Sequence, residues 1–257
     1  MNRISDAFSG KKAFIAYLMA GDPSLAASAE YILAAQAAGA SLIEIGIPFS
    51  DPIAEGETIQ AASERALSAG TRLDGIFDMV GSISGKMDVP IVFMTYYNPV
   101  FVYGIDRFCA TCSEIGICGL IIPDLPFEEQ AEAKQIAQTY GIDIVSLIAP
   151  TSKERIKEIA ENAQGFVYLV SSMGVTGARS QISSGLESFV DEIKKHTQAP
   201  VAVGFGISNA AQVAEYAKFA DGVIVGSAIV DIIAKGKFEA KEKLQEYIKS
   251  MSEPLRR

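Results

Sequence analysis

The sequence contains few of the residues on which many catalytic and metal sites depend. Its 257 residues include a single histidine, His196, which lies in the polar stretch 194–198 ahead of an apolar run. We interpret His196 as part of a solvated helix end. A Ser-His-Asp triad, a His-Cys nucleophile and a histidine zinc site are therefore disfavoured. Catalysis is expected to use carboxylates, tyrosines, lysines, backbone dipoles or the substrate itself.

Cysteine, positive charge and long apolar runs are also scarce. Three cysteines are present, and the C-x-x-C spacing of Cys109 and Cys112 is interpreted as a fortuitous pair of reduced thiols. The 22 basic residues are outnumbered by 31 acidic ones, for a net charge of -9 that repels nucleic acid and anionic lipid. No apolar run reaches the roughly 18 residues needed to span a bilayer. We expect a cytoplasmic protein without nucleic-acid or membrane partners.

Apolar runs alternate with amphipathic stretches throughout the sequence, without a linker, which predicts one α/β domain over residues 1–257. Eight strand-helix units in this length favour a (β/α)8 TIM barrel, with a doubly wound open sheet as the alternative. One extra helix is expected in the long second unit and another ahead of the first strand. The strands are predicted to begin near Ala13, Ser41, Val89, Cys118, Ile142, Gly165, Pro200 and Asp221.

Glu44 is the main candidate catalytic residue. The alternation of side chains along strand two sends Ile43 and Ile45 to one face and Leu42, Glu44 and Gly46 to the other. The more apolar face of a barrel strand meets the helices, so Glu44 should point into the lumen. No predicted strand contains a lysine or arginine to pair with it. An unpaired, desolvated carboxyl group has a raised pKa and suits proton transfer near neutral pH.

Glycines at the ends of strands seven and eight predict a phosphate site. Strand seven ends in Gly204-Phe205-Gly206 and strand eight in Gly226-Ser227, each before a helix. Backbone N–H groups and helix N-termini at such positions can bind an anion without arginine. The segment 171–180 after strand six is small and polar, with glycines at 174 and 177, and is interpreted as a lid or an ordinary surface loop.

Five motifs in the chain resemble those of the tryptophan synthase alpha subunit family, and they occur in that family's order. The strand-two motif is the most specific, and the likeness runs through nearly the whole chain. The motifs are Gly21-Asp22-Pro23, Glu44–Pro52 (EIGIPFSDP), Tyr168–Ser171 with Gly174–Gly177 (YLVS, GVTG), Gly204–Ser208 (GFGIS) and Gly226–Val230 (GSAIV).

This resemblance implies a lyase that cleaves indole-3-glycerol phosphate into indole and glyceraldehyde 3-phosphate. Protonation of the indole ring at carbon 3 makes the substrate its own electron sink, so neither lysine nor metal is needed. The resemblance further implies an alpha2beta2 assembly with a beta subunit. It places pyridoxal phosphate in that partner and no cofactor in this chain.

The resemblance also assigns site residues. Glu44 matches the acid/base, Glu55 the second carboxylate and Tyr168 the active-site tyrosine. The family's closing loop is matched by Thr176 and Gly177. The family's phosphate contacts are matched by Gly177, Gly206, Gly226 and Ser227. The positions that line the indole pocket match Tyr17, Met94, Tyr96, Ile121 and Leu147.

The sequence departs from the family at the second carboxylate, where Ala54-Glu55-Gly56-Glu57 replaces the common Ala-Asp-Gly-Pro. It also has Ser172-Met173 where many members have a basic residue followed by a small one.

Two other functions stay open on the residues alone, a phosphosugar isomerase of the same barrel type and a non-catalytic regulatory barrel. The rim segments 48–52 and 96–99 are expected to form the docking surface for a beta subunit. Asp22 and Asp124, at the same rim, are interpreted as structural or catalytic.

Overall fold

The computed structural model describes residues 3–170, 179–204 and 206–256, apart from the side chains of Pro150, Lys153 and residues 179–184. Eight parallel strands in these ranges pair in sequence order and close into a barrel. The predicted TIM barrel is thereby confirmed, and closure excludes the open doubly wound sheet. The strands are β1 (Ala13–Met19), β2 (Leu42–Gly46), β3 (Ile91–Met94), β4 (Ile117–Ile121), β5 (Asp143–Ile148), β6 (Gln164–Val170), β7 (Val201–Gly204) and β8 (Gly222–Val225).

Helices surround the barrel in the described ranges. They are α1 (Leu25–Ala38), α2 (Glu57–Ser68), α3 (Leu73–Ser84), α4 (Tyr97–Tyr103), α5 (Ile105–Glu114), α6 (Ala131–Thr139), α7 (Ile156–Glu161), α8 (Arg179–Lys194), α9 (Ala210–Tyr216), α10 (Ser227–Gly236) and α11 (Ala240–Ser252). Short 3-10 helices occupy Ile4–Phe8, Phe127–Glu129, Pro150–Arg155, Lys237–Glu239 and Glu253–Arg256. The second unit contains both α2 and α3, as predicted, and the extra helix ahead of β1 is a 3-10 helix. No helix in the described ranges is both long and apolar enough to cross a membrane.

Strand β2 shows how the alternation of side chains separates two apolar layers. Ile43 and Ile45 pack in the layer between the strands and the helices, whereas Leu42 belongs to the cluster inside the barrel. This arrangement matches the predicted faces of the strand and directs Glu44 into the lumen, because alternate residues share a face. The sequence pattern of β2 therefore determines the position of the buried carboxyl group.

The first 3-10 helix closes the amino-terminal end of the barrel. Ile4 belongs to the lumen cluster, and a Cβ atom at either Gly119 of β4 or Gly165 of β6 would lie 2.7 Å from Ile4 Cδ1. The ring of Phe8 lies 5.7 Å from that of Phe166. Glycines on β4 and β6 thus leave the space that Ile4 occupies, and the lumen is filled from this end by apolar side chains.

Candidate active site

Glu44 lies inside the barrel, between Tyr17 on β1 and Val92 on β3. Its side chain is 0% exposed, and within the described residues no group donates a hydrogen bond to either carboxylate oxygen. The described strands contain no lysine or arginine that could pair with it. Burial, and next the negative charge of Glu55, raise the pKa of Glu44 to about 8. At neutral pH this carboxyl group is mostly protonated and can donate its proton.

Two tyrosines occupy similar slots beside Glu44. Tyr17 leans across Gly46 of β2, and Tyr168 leans across Gly204 of β7. A Cβ atom at Gly46 would lie 2.6 Å from Tyr17 Cζ, and one at Gly204 would lie 2.7 Å from Tyr168 Oη, so each slot requires a glycine on the next strand. Burial, with a smaller effect of Glu44, raises the pKa of both phenols well above the usual range. Both tyrosines therefore keep their hydroxyl protons and can act as hydrogen-bond donors.

Glu55 brings a second carboxyl group to the site from the loop between β2 and α2. Burial raises its pKa, and a hydrogen bond that Tyr96 Oη donates to Glu55 Oε2 lowers it. The same Tyr96 oxygen accepts hydrogen bonds of 2.8 Å from the backbone N–H groups of Ile53 and Ala54. The ring of Phe49 stacks on Tyr96 with centroids 5.1 Å apart. These contacts attach the loop that carries Glu55 to the residue just before α4.

The glycines predicted for phosphate binding lie at the same end of the barrel. Gly206 follows β7 with φ +71°, a left-handed conformation that favours glycine. Gly226 and Ser227 lead from β8 into α10 and contribute to the cavity wall. The first-turn N–H groups of a helix have no acceptor within the helix, so the start of α10 can bind an anion.

A cavity of about 180 Å³ joins these groups. It brings together eight of the predicted site residues, which come from β1, β2, β3, β6 and the segments after β2, β7 and β8. They are Tyr17, Glu44, Glu55, Met94, Tyr168, Gly206, Gly226 and Ser227. No group of three or more His, Cys, Asp or Glu residues in the described parts of the chain is arranged to hold a metal ion.

The remaining predicted site residues are not on the wall of this cavity. Tyr96 lies behind Glu55 and reaches the site through its hydroxyl group. Ile121 is fully buried in the layer of lumen side chains, and Leu147 packs against the same layer. Thr176 and Gly177 lie outside the described residues, as does most of the predicted lid. The roles predicted for these five positions stay predictions.

Several cavity residues were not predicted from the sequence. Ile224 lies on β8, two residues before the predicted site residue Gly226, so the alternation of that strand already indicated its inward direction. Ile59 lies in the first turn of α2, four residues after Glu55, and carried no comparable signal. The other unpredicted lining residues are Ala54, Gly56, Ile207, Ser208 and Ala228.

Asp22 and Asp124 both form contacts that hold the rim together. Asp22 is 3% exposed and binds Arg65 of α2 through two hydrogen bonds of 2.9 and 2.7 Å. Asp124 Oδ1 accepts a hydrogen bond of 2.8 Å from the backbone N–H of Tyr97, at the start of α4. These contacts favour the structural interpretation of both residues.

Comparison with known proteins identifies the family of this fold and site. The family model described as tryptophan synthase alpha chain matches residues 5–256. The chain is 46% identical to the tryptophan synthase alpha chain of Lacticaseibacillus casei over 251 residues, which cover 98% of this chain and 94% of the relative. It is 47% identical to that of Caldanaerobacter subterraneus subsp. tengcongensis, covering 99% and 100% of the two chains.

The chain belongs to the tryptophan synthase alpha chain family. This membership makes it a lyase of tryptophan biosynthesis and disfavours the phosphosugar isomerase and the regulatory barrel.

Solved structures of the family share the fold closely. Tryptophan synthase subunit alpha from Legionella pneumophila superimposes with a TM-score of 0.90 at 33% identity, over 99% of this chain and 98% of that one. A chain from Pyrococcus furiosus gives a TM-score of 0.88 at 41% identity, over 94% and 98% of the two chains. The latter structure was described as the basis of mutual activation of the tryptophan synthase a2b2 complex.

Proposed function

We propose that this chain cleaves indole-3-glycerol phosphate into indole and glyceraldehyde 3-phosphate, with Glu44 as the group that transfers protons. The observation that carries the proposal is the state of Glu44 itself. It is fully buried, has no hydrogen-bond partner among the described residues, and shares a cavity with the first turn of α10. A carboxyl group with a pKa of about 8 is suited to both giving and taking a proton near neutral pH.

The reaction requires two proton transfers by one carboxyl group. Protonated Glu44 donates its proton to carbon 3 of the indole ring, which leaves a positive charge shared with the ring nitrogen. The resulting Glu44 carboxylate then accepts the proton of the adjacent side-chain hydroxyl. As that O–H bond breaks, a carbonyl forms, the bond between carbon 3 and the side chain breaks, and its electrons neutralise the ring. Indole and an aldehyde phosphate are the products.

Glu55 and Tyr168 complete the proposed catalytic group. The Glu55 carboxylate accepts a hydrogen bond from the ring N–H and stabilises the positive charge that develops on that nitrogen. Tyr168 keeps its proton because burial raises its pKa, so it is a neutral hydrogen-bond donor beside Glu44. Tyr17 and Met94 supply apolar wall for the indole ring, and Ile121 and Leu147 support that wall from the adjoining layer.

The phosphate group of the substrate is assigned to the part of the cavity wall that the segments after β7 and β8 form. Gly206, Gly226 and Ser227 offer backbone N–H groups there, and the start of α10 adds a partial positive charge. Thr176 and Gly177, outside the described residues, are proposed to close over the bound substrate. This arrangement binds an anion without a basic side chain, which suits a protein with a net charge of -9.

The partner proposed for this chain is a tryptophan synthase beta subunit in an alpha2beta2 assembly. Its docking surface includes three apolar side chains near the rim: Ile53, Phe101 and Val102, which are 80%, 69% and 76% exposed. Ile53 is tied through its backbone to Tyr96, which directly precedes α4, and α4 carries the other two. Apolar side chains that are exposed together on linked segments, as these three are, are characteristic of protein-protein contact sites.

Three further proposals concern the setting in which the chain works. It uses no cofactor of its own, and pyridoxal phosphate is a component of the beta subunit. The chain forms one domain over residues 1–257. It works in the cytoplasm, a reducing compartment that suits its three unpaired, buried cysteines.

Release of indole from indole-3-glycerol phosphate by the purified chain, with and without a beta subunit, tests the proposed function. Glu44→Gln removes the titrating proton at nearly constant volume and should lower kcat by about 100- to 10,000-fold. Glu64→Gln is the matched control, because Glu64 is exposed on α2 and its replacement should leave turnover unchanged. A Glu44→Gln variant that kept most of the wild-type turnover would exclude Glu44 as the acid/base.

A further inference from the structure

Tyr96, which the resemblance places in the lining of the indole pocket, meets the site through its hydroxyl group. It was expected to line the indole pocket, yet it lies behind Glu55 and does not contribute to the cavity wall. It is 3% exposed and stacks on Phe49. Its contacts with the site are therefore the hydrogen bond to Glu55 and the one that it accepts from the backbone of Ala54, so Tyr96 acts on the reaction through the loop that carries Glu55.

The hydrogen bonds around the Tyr96 hydroxyl have a fixed direction. A phenol oxygen has two lone pairs and one proton. The N–H groups of Ile53 and Ala54 point at this oxygen from 2.8 Å and occupy both lone pairs. The hydroxyl proton is then left for Glu55 Oε2, which accepts it. Glu55 is thereby held as an acceptor at this oxygen.

The other charged groups that act on Glu55 are acidic. Asp124 raises the pKa of Glu55, and Glu44 shares the cavity with it. Tyr17 also lines this cavity, and its own phenol stays protonated. Burial and, to a smaller extent, the charge of Asp124 oppose ionisation of Glu55, whereas the hydrogen bond from Tyr96, with those of the local backbone, favours the ionised form.

We propose that Tyr96 is a positioning residue, whose hydroxyl holds one oxygen of Glu55 so that the other accepts the N–H group of the indole ring. The proposal rests on the proposed function, because it assigns the ring N–H as the second donor. It gives Tyr96 a role in orienting and ionising the carboxylate instead of a role in contacting the substrate.

A double-mutant cycle between Tyr96 and Glu55 provides the first test. Tyr96→Phe should lower kcat/KM by about 10-fold, the effect expected for a hydrogen bond to a charged group. In a Glu55→Ala background the same substitution should lower it by less than about 3-fold. An equal loss in both backgrounds would mean that Tyr96 only orders the loop, and it would overturn the proposal. Tyr103→Phe is the control, because it removes a phenol hydroxyl from the end of α4, away from the cavity.

A titration that needs no turnover provides the second test. Glutamate labelled with carbon-13 at Cδ reports the ionisation of Glu55, whose signal is identified by its absence from the Glu55→Ala variant. The pKa of Glu55 should be higher in Tyr96→Phe than in the wild type, since a hydrogen bond to the carboxylate has been lost, and unchanged in Tyr103→Phe. An unchanged pKa in Tyr96→Phe would overturn the proposal even if the wild type released no indole. Absent indole release combined with a raised pKa would instead count against the proposed reaction alone.

Discussion

Tyr17 lies across Gly46 of the neighbouring strand, and its ring occupies the space where any other residue would place a Cβ atom. The two residues are offset along the barrel, because Tyr17 pairs with Glu44 and Gly46 with Met19. Tyr168 and Gly204 repeat this relationship between β6 and β7. The glycines of β2 and β7 therefore allow two large aromatic side chains to lie beside the carboxyl group of Glu44.

Gly46→Ala should reduce both stability and activity. The new methyl group would lie 2.6 Å from Tyr17 Cζ, so the ring, which lines the cavity, must shift. Overpacking of this kind costs about 1–3 kcal/mol in the free energy of unfolding, which urea denaturation measures. Gly85→Ala is the control, since a Cβ atom at Gly85 meets nothing within 4 Å. An equally small effect of the two substitutions would show that the slot is not tightly packed.

Glu44 should make the stability of the protein depend on pH. Its pKa is about 8 in the folded state, against an ordinary value of 4.5. Because the folded state retains the proton longer, the stability present below about pH 4.5 is lost as the pH rises toward about 8. Glu44→Gln lacks this proton, so its stability relative to the wild type should increase over that range by an amount on the order of 3–5 kcal/mol.

Urea unfolding of the two proteins at a series of pH values measures this difference directly. Glu64→Gln, on the exposed face of α2, should follow the wild-type curve. A difference between wild type and Glu44→Gln that did not change with pH would mean that Glu44 titrates at an ordinary pKa.

Removal of Arg65 should destabilise the rim through Asp22. Arg65→Met leaves the Asp22 carboxylate, which is only 3% exposed, without its cationic partner. The free energy of unfolding should fall by about 2 kcal/mol, less than for a fully buried pair, because the Arg65 side chain is 40% exposed. Asp22→Asn in the same background removes the unpaired charge and should recover part of the loss. Thermal unfolding of the single and double variants measures both effects, and a double variant no more stable than Arg65→Met would contradict the explanation.

Phe101→Glu should weaken binding to the beta subunit by about 10-fold or more, because it places a charge on an apolar docking surface. Phe238 offers a matched control, since it is also exposed but lies in the turn between α10 and α11. Phe238→Glu should leave the affinity unchanged. Calorimetric titration measures both affinities, and an equal effect of the two substitutions would place the interface elsewhere.

Much of the fold could be predicted from the sequence because each strand is a short apolar run with a clear boundary. All eight strands begin within two residues of their predicted positions; for example, the one expected near Val89 begins at Ile91 and the one expected near Ala13 begins there. The inward direction of Glu44 followed from the alternation of one strand. These features depend on local pattern, which the sequence contains in full.

The rest of the site depends on contacts between distant segments. Tyr96 and Glu55 are 41 residues apart, and no periodicity indicates that the hydroxyl of one binds the carboxylate of the other. The pairing of Asp22 with Arg65 is equally non-local. Ile59 lines the cavity from the first turn of α2, where no local pattern marks it as a site residue. Such relationships are set by packing in three dimensions and had no sequence signal.

The small helix at Ile4–Phe8 has a consequence for Glu44, which is more than thirty positions away in the chain. Its side chains fill the lumen at the amino-terminal end of the barrel, and further apolar side chains, including Leu42 and Val92, pack in the same cluster. Bulk water is thereby kept from approaching the acid from that side. Trimming the start of the chain would hydrate the interior, return Glu44 toward ordinary acidity, and weaken proton delivery without altering any group near the reactant.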